Sequence, residues 1–387
     1  MSDVVVVGGG IMGSALAYWL TRLDPGAAVT VLERDPSYAH ASSALSAASI
    51  RQQFTTPLNI RISQHSIEFL RHAAEWLADD GTAPDIGLTE RGYLYLASPD
   101  NAATLSAAHA VQRRVGAEVA LLDHAGLARR FPWLSLDGIE LGSLGLSGEG
   151  WFDGYALLRA FGARARRQGA KFVRGEVVAI DTAQHRVRSV ALADGRRLQG
   201  DWLVNAAGPW ARGVARLAGV ELPVEARRRT VFVLDCRQGP ADCPLLIDPS
   251  GFWLRPDGQR FIGAPPPASD PDGAPLEPEL GLFEDVFWPA LAARIPAFEA
   301  TRVERAWAGY YEYNTFDQNG IVGLHPSLDN LAFMNGFSGH GMQQAPIVAR
   351  GVAELILTGR YVTLDLGALG FARLIDGRPL RELNVIG

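Results

Sequence analysis

Residues 4–7 are four consecutive valines, followed at once by Gly8-Gly9-Gly10 and by a run of helical apolar spacing over residues 11–23. A strand apolar on both faces belongs in a parallel sheet covered by helices on both sides. The glycines repeat as Gly8-x-Gly10-x-x-Gly13, with Ile11 and Met12 between the last two. In a strand–turn–helix setting the first glycine allows the tight turn and the second admits a diphosphate against the backbone. The third lets helix and strand pack closely, with the phosphates at the positive helix end. Residues 29–33 (VTVLE) read as the second strand of a βαβ unit, and Glu33 closes it 20 residues beyond Gly13. A carboxylate there accepts bonds from ribose hydroxyls and repels a 2′-phosphate, which favours NAD or FAD over NADP.

Composition narrows the rest. With 48% hydrophobic residues in 387, the chain has enough apolar mass for a packed core, and its length suggests two domains. A net charge of −6 argues against a nucleic-acid partner, and Arg227-Arg228-Arg229 reads as a solvated strand end. Cys236 and Cys243 form no CxxC pair, no disulfide framework is expected, and no His/Cys cluster has zinc spacing. No apolar run reaches the roughly 18–20 residues of a membrane span, and residues 1–3 show no targeting pattern. The expectation is a soluble, cytoplasmic protein.

Further elements follow from spacing and turn residues. Residues 41–49 (ASSALSAAS) read as a small-residue loop or helix start, 60–77 as an amphipathic helix, 92–97 as a strand and 102–115 as a helix. A second alternation begins at Asp153, with a helix over 155–169, a strand over 171–180, another over 187–192, and a buried parallel-type strand over 202–206 ending at Ala207-Gly208-Pro209. Residues 251–255 and 259–263 flank a turn, and residues 264–280, with six prolines, form an irregular surface segment. A last buried strand at 331–335 precedes Gly336-Phe337-Ser338-Gly339-His340-Gly341 and a helix over about 345–357. Three glycines in six residues cost backbone entropy, which makes sense where backbone N–H groups line a flat ligand. Gly208 fits either a cofactor contact or a plain turn. The fold expected is α/β: a Rossmann-like dinucleotide domain, discontinuous in sequence (1–84, 150–220, 318–387), with an α+β substrate domain on a mainly antiparallel sheet (85–149, 221–317).

The segments VVVVGGGIMGSALAYWL, VTVLERD, LVNAAGPWA and GIVGLHP…GFSGHGMQQAP resemble the FAD-dependent amine and amino-acid oxidoreductases of the D-amino-acid oxidase superfamily, in the sarcosine oxidase and dimethylglycine dehydrogenase branch. Within it, ASSALSAASIRQQF and WAGYYEYNTFDQNGIVG are similar to FAD-dependent oxidoreductase domain-containing proteins linked to respiratory complex I assembly. The resemblance implies FAD. Gly8, Gly10, Ile11, Met12, Gly13, Glu33, Arg34 and the Val177 backbone would hold its ADP half. Ser42, Ser43, Ala207 and Gly208 would lie near the diphosphate. Gly336, Ser338, Gly339, His340, Gly341, Met342 and Gln343 would run along the flavin and ribityl chain.

Arg51 falls where sarcosine oxidase binds the substrate carboxylate, a task suited to a two-pronged guanidinium. The cysteine that joins flavin covalently there corresponds to Tyr310, so FAD is expected to be non-covalent. A lysine that promotes reaction with oxygen corresponds to Phe261, and a carboxylate-binding lysine to Gln343. Tyr310 and Glu312 could line an amine pocket or be ordinary strand residues, and Glu312 could pair with a cationic substrate group. Arg255 is a further carboxylate candidate, and His325 reads as a turn residue. The function expected is oxidation of the C–N bond of a small-molecule secondary amine or amino acid by hydride transfer to flavin. Electrons would pass to oxygen, a quinone or an electron-transfer protein, with a dehydrogenase favoured over an oxidase. The alternatives are an FAD-binding assembly scaffold with little turnover and an NAD-dependent dehydrogenase.

Overall fold

In the computed structural model, which describes residues 2–79 and 81–383, the valine strand Asp3–Val7 lies inside a six-stranded sheet. It pairs in parallel with Ala28–Glu33 on one side and Trp202–Asn205 on the other. Lys171–Arg174 extends the sheet beyond Ala28–Glu33, and Leu331–Asn335 extends it beyond Trp202–Asn205, both in parallel. Ile321–Leu324 closes the edge antiparallel. Both faces are covered, which is why the strand does not alternate. Val4 and Val6 pack into a core shared with the helices Ile11–Leu23, Gly154–Arg167 and Gly341–Thr358. Val5 and Val7 face a second core, with Ala211–Leu217 and the three-stranded sheet Val177–Ala183, Arg186–Leu192 and Arg197–Leu198.

The second large sheet has eight strands in the order Arg302–Asn314, Val224–Asp235, Arg260–Ala264, Trp253–Asp257, Leu245–Ile247, Tyr93–Ala97, Leu141–Gly145 and Val119–Asp123. All its pairings are antiparallel except Leu245–Ile247 with Tyr93–Ala97. Here the two-residue period is clear. Leu94, Leu96, Phe232, Leu234, Leu254 and Phe261 point into one core. Tyr93, Tyr95, Val231, Val233, Ile262 and Ala264 point to the opposite face, towards the functional site.

Three expected elements differ. The strand expected over 171–180 is two strands in two sheets, because the chain turns at Gly175, where a Cβ would come 2.7 Å from Leu192. The helix expected over 60–77 runs Pro57–Arg71 and restarts at Ala73–Trp76, interrupted at His72. The last long helix begins at Gly341, four residues before the expected start, so its first turn belongs to the glycine loop. Cys236 and Cys243 are free and buried. Among the described residues no helix is long and apolar enough to cross a membrane, and no group of three or more His, Cys, Asp or Glu could hold a metal.

A buried polar knot joins the end of the chain to this frame. The Glu382 carboxylate, 6% exposed, accepts from the N–H groups and hydroxyls of Thr55 and Thr56 and from Asn59 Nδ2 at 2.7 Å. It thereby serves the start of the helix Pro57–Arg71, whose N-cap Thr56 makes no side-chain cap of its own. Asn59 also accepts from Gln344 Nε2 at 3.0 Å, which ties that helix to the first turn of Gly341–Thr358. Glu382→Ala is expected to cost about 2 kcal/mol by orphaning these donors. Calorimetry would show it as a lowered unfolding temperature, and an unchanged transition would mean that water replaces the carboxylate without loss.

Candidate functional site

At the glycine turn the backbone leaves no room for side chains. Gly8 has φ +102°, and a Cβ there would lie 2.3 Å from Ala206 O; one at Gly13 would lie 1.9 Å from Gly8 O. The Glu33 carboxylate accepts from Gly9 N and Asp35 N, both at 2.8 Å, which fixes it at the lip of the turn. Ser43 Oγ accepts from Ile11 N at 2.9 Å, so a hydroxyl sits at the positive end of the first helix, where a phosphate oxygen is favoured. Ser42 Oγ donates to Tyr310 O at 2.6 Å. Gly208 has φ +55°, and a Cβ there would meet nothing nearer than the Glu312 carboxylate at 4.0 Å. Exposed Arg34 stacks over Trp210 at 3.8 Å. Val177 follows two residues after Gly175, whose N–H donates to Glu33 O at 3.0 Å.

The second glycine loop follows the strand Leu331–Asn335, which is parallel to the first strand, and so leaves at the same end of the sheet as the first turn. Gly336, Ser338 and Gly339 have φ of +74°, +49° and +92°. Ser338 Oγ accepts from Asn314 N at 2.9 Å and Ser338 N donates to Glu312 O at 3.0 Å, which docks the loop on the strand Arg302–Asn314. A Cβ at Gly339 would lie 2.7 Å from the Tyr311 ring, so the close packing of that tyrosine requires glycine.

Between these loops and the eight-stranded sheet lies a cavity. Its lining includes Ile11, Ser42, Ser43, Arg51, Tyr310, Glu312, Gly339, His340, Gly341, Met342 and Gln343 from the sequence candidates. Tyr93, Val231, Leu245, Ile247, Trp253, Ala264 and Tyr311 form the largely apolar sheet wall. Arg51 is 4% exposed. Its Nη2 lies 3.0 Å from His340 Nε2, its N–H donates to Gln343 Oε1 at 2.9 Å, and its guanidinium lies 4.5 Å over Phe54. Arginine only donates, so His340 Nε2 accepts and the ring proton sits on Nδ1. Burial, reinforced by the Arg51 charge, holds His340 well below the usual imidazole range, and the ring is neutral.

A buried carboxyl and a half-buried one flank this group. Glu149, 1% exposed, accepts from Gln52 N at 2.7 Å and Gln53 Nε2 at 2.9 Å, and burial raises it to about 7. Nothing in its GEG context pointed to it; only burial marks it. Glu312, enclosed by protein except where it faces the cavity, accepts from Gly336 N at 3.2 Å, and burial pushes it up to about 8.

Three expectations are corrected. Arg255 is absent from the cavity lining: its guanidinium donates to Ala47 O at 2.9 Å, Pro256 O at 2.8 Å and Asp257 Oδ1 at 2.9 Å, and so braces the small-residue loop from behind. Phe261 points to the far face of its sheet, edge-on to Phe298 at 5.0 Å, and its neighbours Ile262 and Ala264 take the near face. Arg229 is no solvated strand end: it is 8% exposed and lines the cavity.

A diphosphate-binding turn, a ribose-ready carboxylate and a second glycine loop beside a cavity fit a dinucleotide-dependent oxidoreductase. The chain belongs to the FAD dependent oxidoreductase (DAO) family, whose model matches residues 3–355, and FAD is its cofactor. It is 42% identical to FAD-dependent oxidoreductase domain-containing protein 1 of Xenopus laevis, over all of this chain and 85% of that protein. It is 25% identical to mitochondrial sarcosine dehydrogenase of Mus musculus, over 93% of this chain and 40% of that protein. The L-proline dehydrogenase structure from P. horikoshii superposes with a TM-score of 0.87 at 25% identity, covering 98% of this chain and 99% of that one. These relatives make the chain kin to amine- and amino-acid-oxidising enzymes.

The raised carboxyls set a pH dependence. A carboxyl protonated in the fold but ionised when unfolded binds an extra proton in the native state, so stability falls as pH rises from about 4.5, the ordinary glutamate value, through the native value. Glu312→Gln is expected to flatten the decline of unfolding temperature between pH 5 and pH 8. A profile parallel to that of the parent would mean Glu312 does not titrate there.

Proposed function

We propose that this protein oxidises the C–N bond of a secondary amine or amino acid that carries a carboxylate, and that it acts as a dehydrogenase. The observation that carries this reading is Arg51, buried at the second glycine loop with His340 and Gln343 against the cavity. When bound, FAD supplies the acceptor for a hydride from the carbon next to nitrogen, and water hydrolyses the resulting imine.

Arg51 pairs two-pronged with the carboxylate and orients the neighbouring C–H. Neutral His340 accepts the other Arg51 donor and so fixes the guanidinium plane. The apolar wall of Val231, Leu245, Ile247 and Trp253 favours the uncharged amine, the form that reacts. Glu312, protonated near neutral pH, offers the cavity a hydrogen rather than a negative charge. The strand Arg260–Ala264 turns Ile262 and Ala264 towards the site, and the one lysine of the chain, Lys171, is exposed on an edge strand of the other sheet. With no lysine at the pocket to promote reaction with oxygen, a quinone or electron-transfer protein is the favoured acceptor.

Anaerobic mixing with a panel of N-methyl and D-amino acids should bleach the absorbance near ~450 nm, with slow recovery in air. No bleaching across the panel would favour an FAD-binding scaffold, and fast peroxide formation would favour an oxidase. Arg51→Ala should raise KM for acidic amines roughly 10- to 100-fold at unchanged FAD content, as expected for a lost charge-assisted pair. An unaltered KM would remove Arg51 from this role.

A further inference from the structure

The proline-rich segment 264–280 leaves the cavity wall at Ala264 and Pro265 and returns over the strand Val224–Asp235. That strand pairs with Arg260–Ala264 only at residues 232–234, and the segment covers the rest of that edge, the opposite edge being taken by Arg302–Asn314. Ala226 N donates to Asp272 Oδ1 at 2.8 Å, Gly273 N to Ala226 O at 2.9 Å, Arg228 Nη1 to Pro275 O at 3.1 Å and Glu279 N to Thr230 Oγ1 at 3.0 Å. The segment is therefore pinned along its length without Asp270.

Asp270 makes a different contact. Its two oxygens take Nη1 and Nη2 of Arg229 at 2.6 and 3.2 Å, the fork geometry in which arginine binds any planar carboxylate. Arg229 is buried at the cavity, with its guanidinium 5.0 Å over the Tyr311 ring, whereas the Asp270 side chain is 30% exposed and reaches it from outside. Arg227 lies 3.7 Å from the same carboxylate and is itself held by Glu225. Arg51, beside Tyr93 and Tyr95, and Arg229, on the strand Val224–Asp235, both line the cavity, which therefore holds two arginines.

We propose that Arg229 is a specificity-determining residue for a second acidic group on the substrate, and that Asp270 holds its place until that group arrives. The substrate class is then an amine with two carboxylates, one at Arg51 and one displacing Asp270 from Arg229. This deepens, and rests on, the reading of the cavity as the site of amine oxidation. Because the segment keeps its other anchors, Asp270 can leave without the segment unfolding.

The test uses the FAD-loaded protein and unreactive acids, with the absorbance of bound FAD reporting occupancy. Straight-chain dicarboxylates from malonate to adipate are titrated against monocarboxylates of the same length. The dicarboxylate of best length should bind roughly tenfold tighter than its monocarboxylate partner, consistent with one more charge-assisted pair. Arg229→Gln should bring that ratio close to one, Arg229→Lys should retain part of it, and Asp270→Asn should raise it by removing the competing anion. A ratio near one in the parent protein, or a ratio that neither Arg229→Gln nor Asp270→Asn moves, overturns the proposal. N-methylglycine and N-methylglutamate then separate the two readings. Reduction of FAD by both with equal KM sinks the second-acid site and leaves amine oxidation standing. A dicarboxylate preference with no reduction by any amine supports the Arg229 site as an anion site and removes amine oxidation.

Discussion

Two backbone contacts at the first turn govern the geometry of the whole site. Gly8 lies against Ala206, the residue after the strand Trp202–Asn205, and Gly13 lies against Gly8 itself, each closer than any Cβ allows. These approaches draw three strand ends and the first helix to one point, so that the positive helix end, Glu33 and Gly208 converge. Side chains added there would push the strands apart, and the cavity floor would lose its alignment with the sheet above it. The second glycine loop repeats the device, since Gly339 lets Tyr311 press onto the backbone that leads into His340.

Polar groups buried behind the cavity keep their arrangement through mutual satisfaction. The neutral imidazole of His340 accepts from Arg51, Gln343 accepts from the Arg51 backbone, and Glu149 accepts from the next residue, Gln52. Gln344, adjoining Gln343, continues through Asn59 to Glu382. The small helix turn at Gly341 is thus tied both to the Arg51 segment and to residues near the end of the chain. Such networks hold one arrangement because each unsatisfied member would carry a desolvation cost.

Much of this is legible in the sequence alone, and the reasons are local. The valine run, the glycine spacing and Glu33 follow rules that act within thirty residues, and the sheet pairs them as the pattern implies. The resemblance carried the FAD assignment and brought Arg51, His340 and Gln343 together. Contacts distant in sequence and invisible in local pattern were missed. Glu149 carries no signal in its local sequence, and Arg229 reads as a solvated strand end until its partner strand and Asp270 enclose it. Phe261 shows how a one-residue shift on a strand reverses the face, since alternation puts Ile262 rather than Phe261 on the side of the sheet that faces the cavity. Arg255 had the right chemistry but spends its donors on Ala47 and on its own turn.

On the proposed reading, Arg51 and the apolar wall would act in the same direction on an amino-acid substrate. In water such a molecule is a zwitterion, with a protonated nitrogen that cannot release a hydride from its neighbouring carbon. A fixed cation attracts the carboxylate and repels the ammonium, and desolvation by Val231, Leu245, Ile247 and Trp253 penalises the same charge. Both effects would lower the nitrogen's affinity for its proton while the acid end stays bound. A neutral His340 is needed for this, because an imidazolium beside Arg51 would compete with it for the carboxylate and turn the shared hydrogen bond into a repulsion. On that reading the pocket would select an acid and activate its amine with the Arg51 charge, without a dedicated general base.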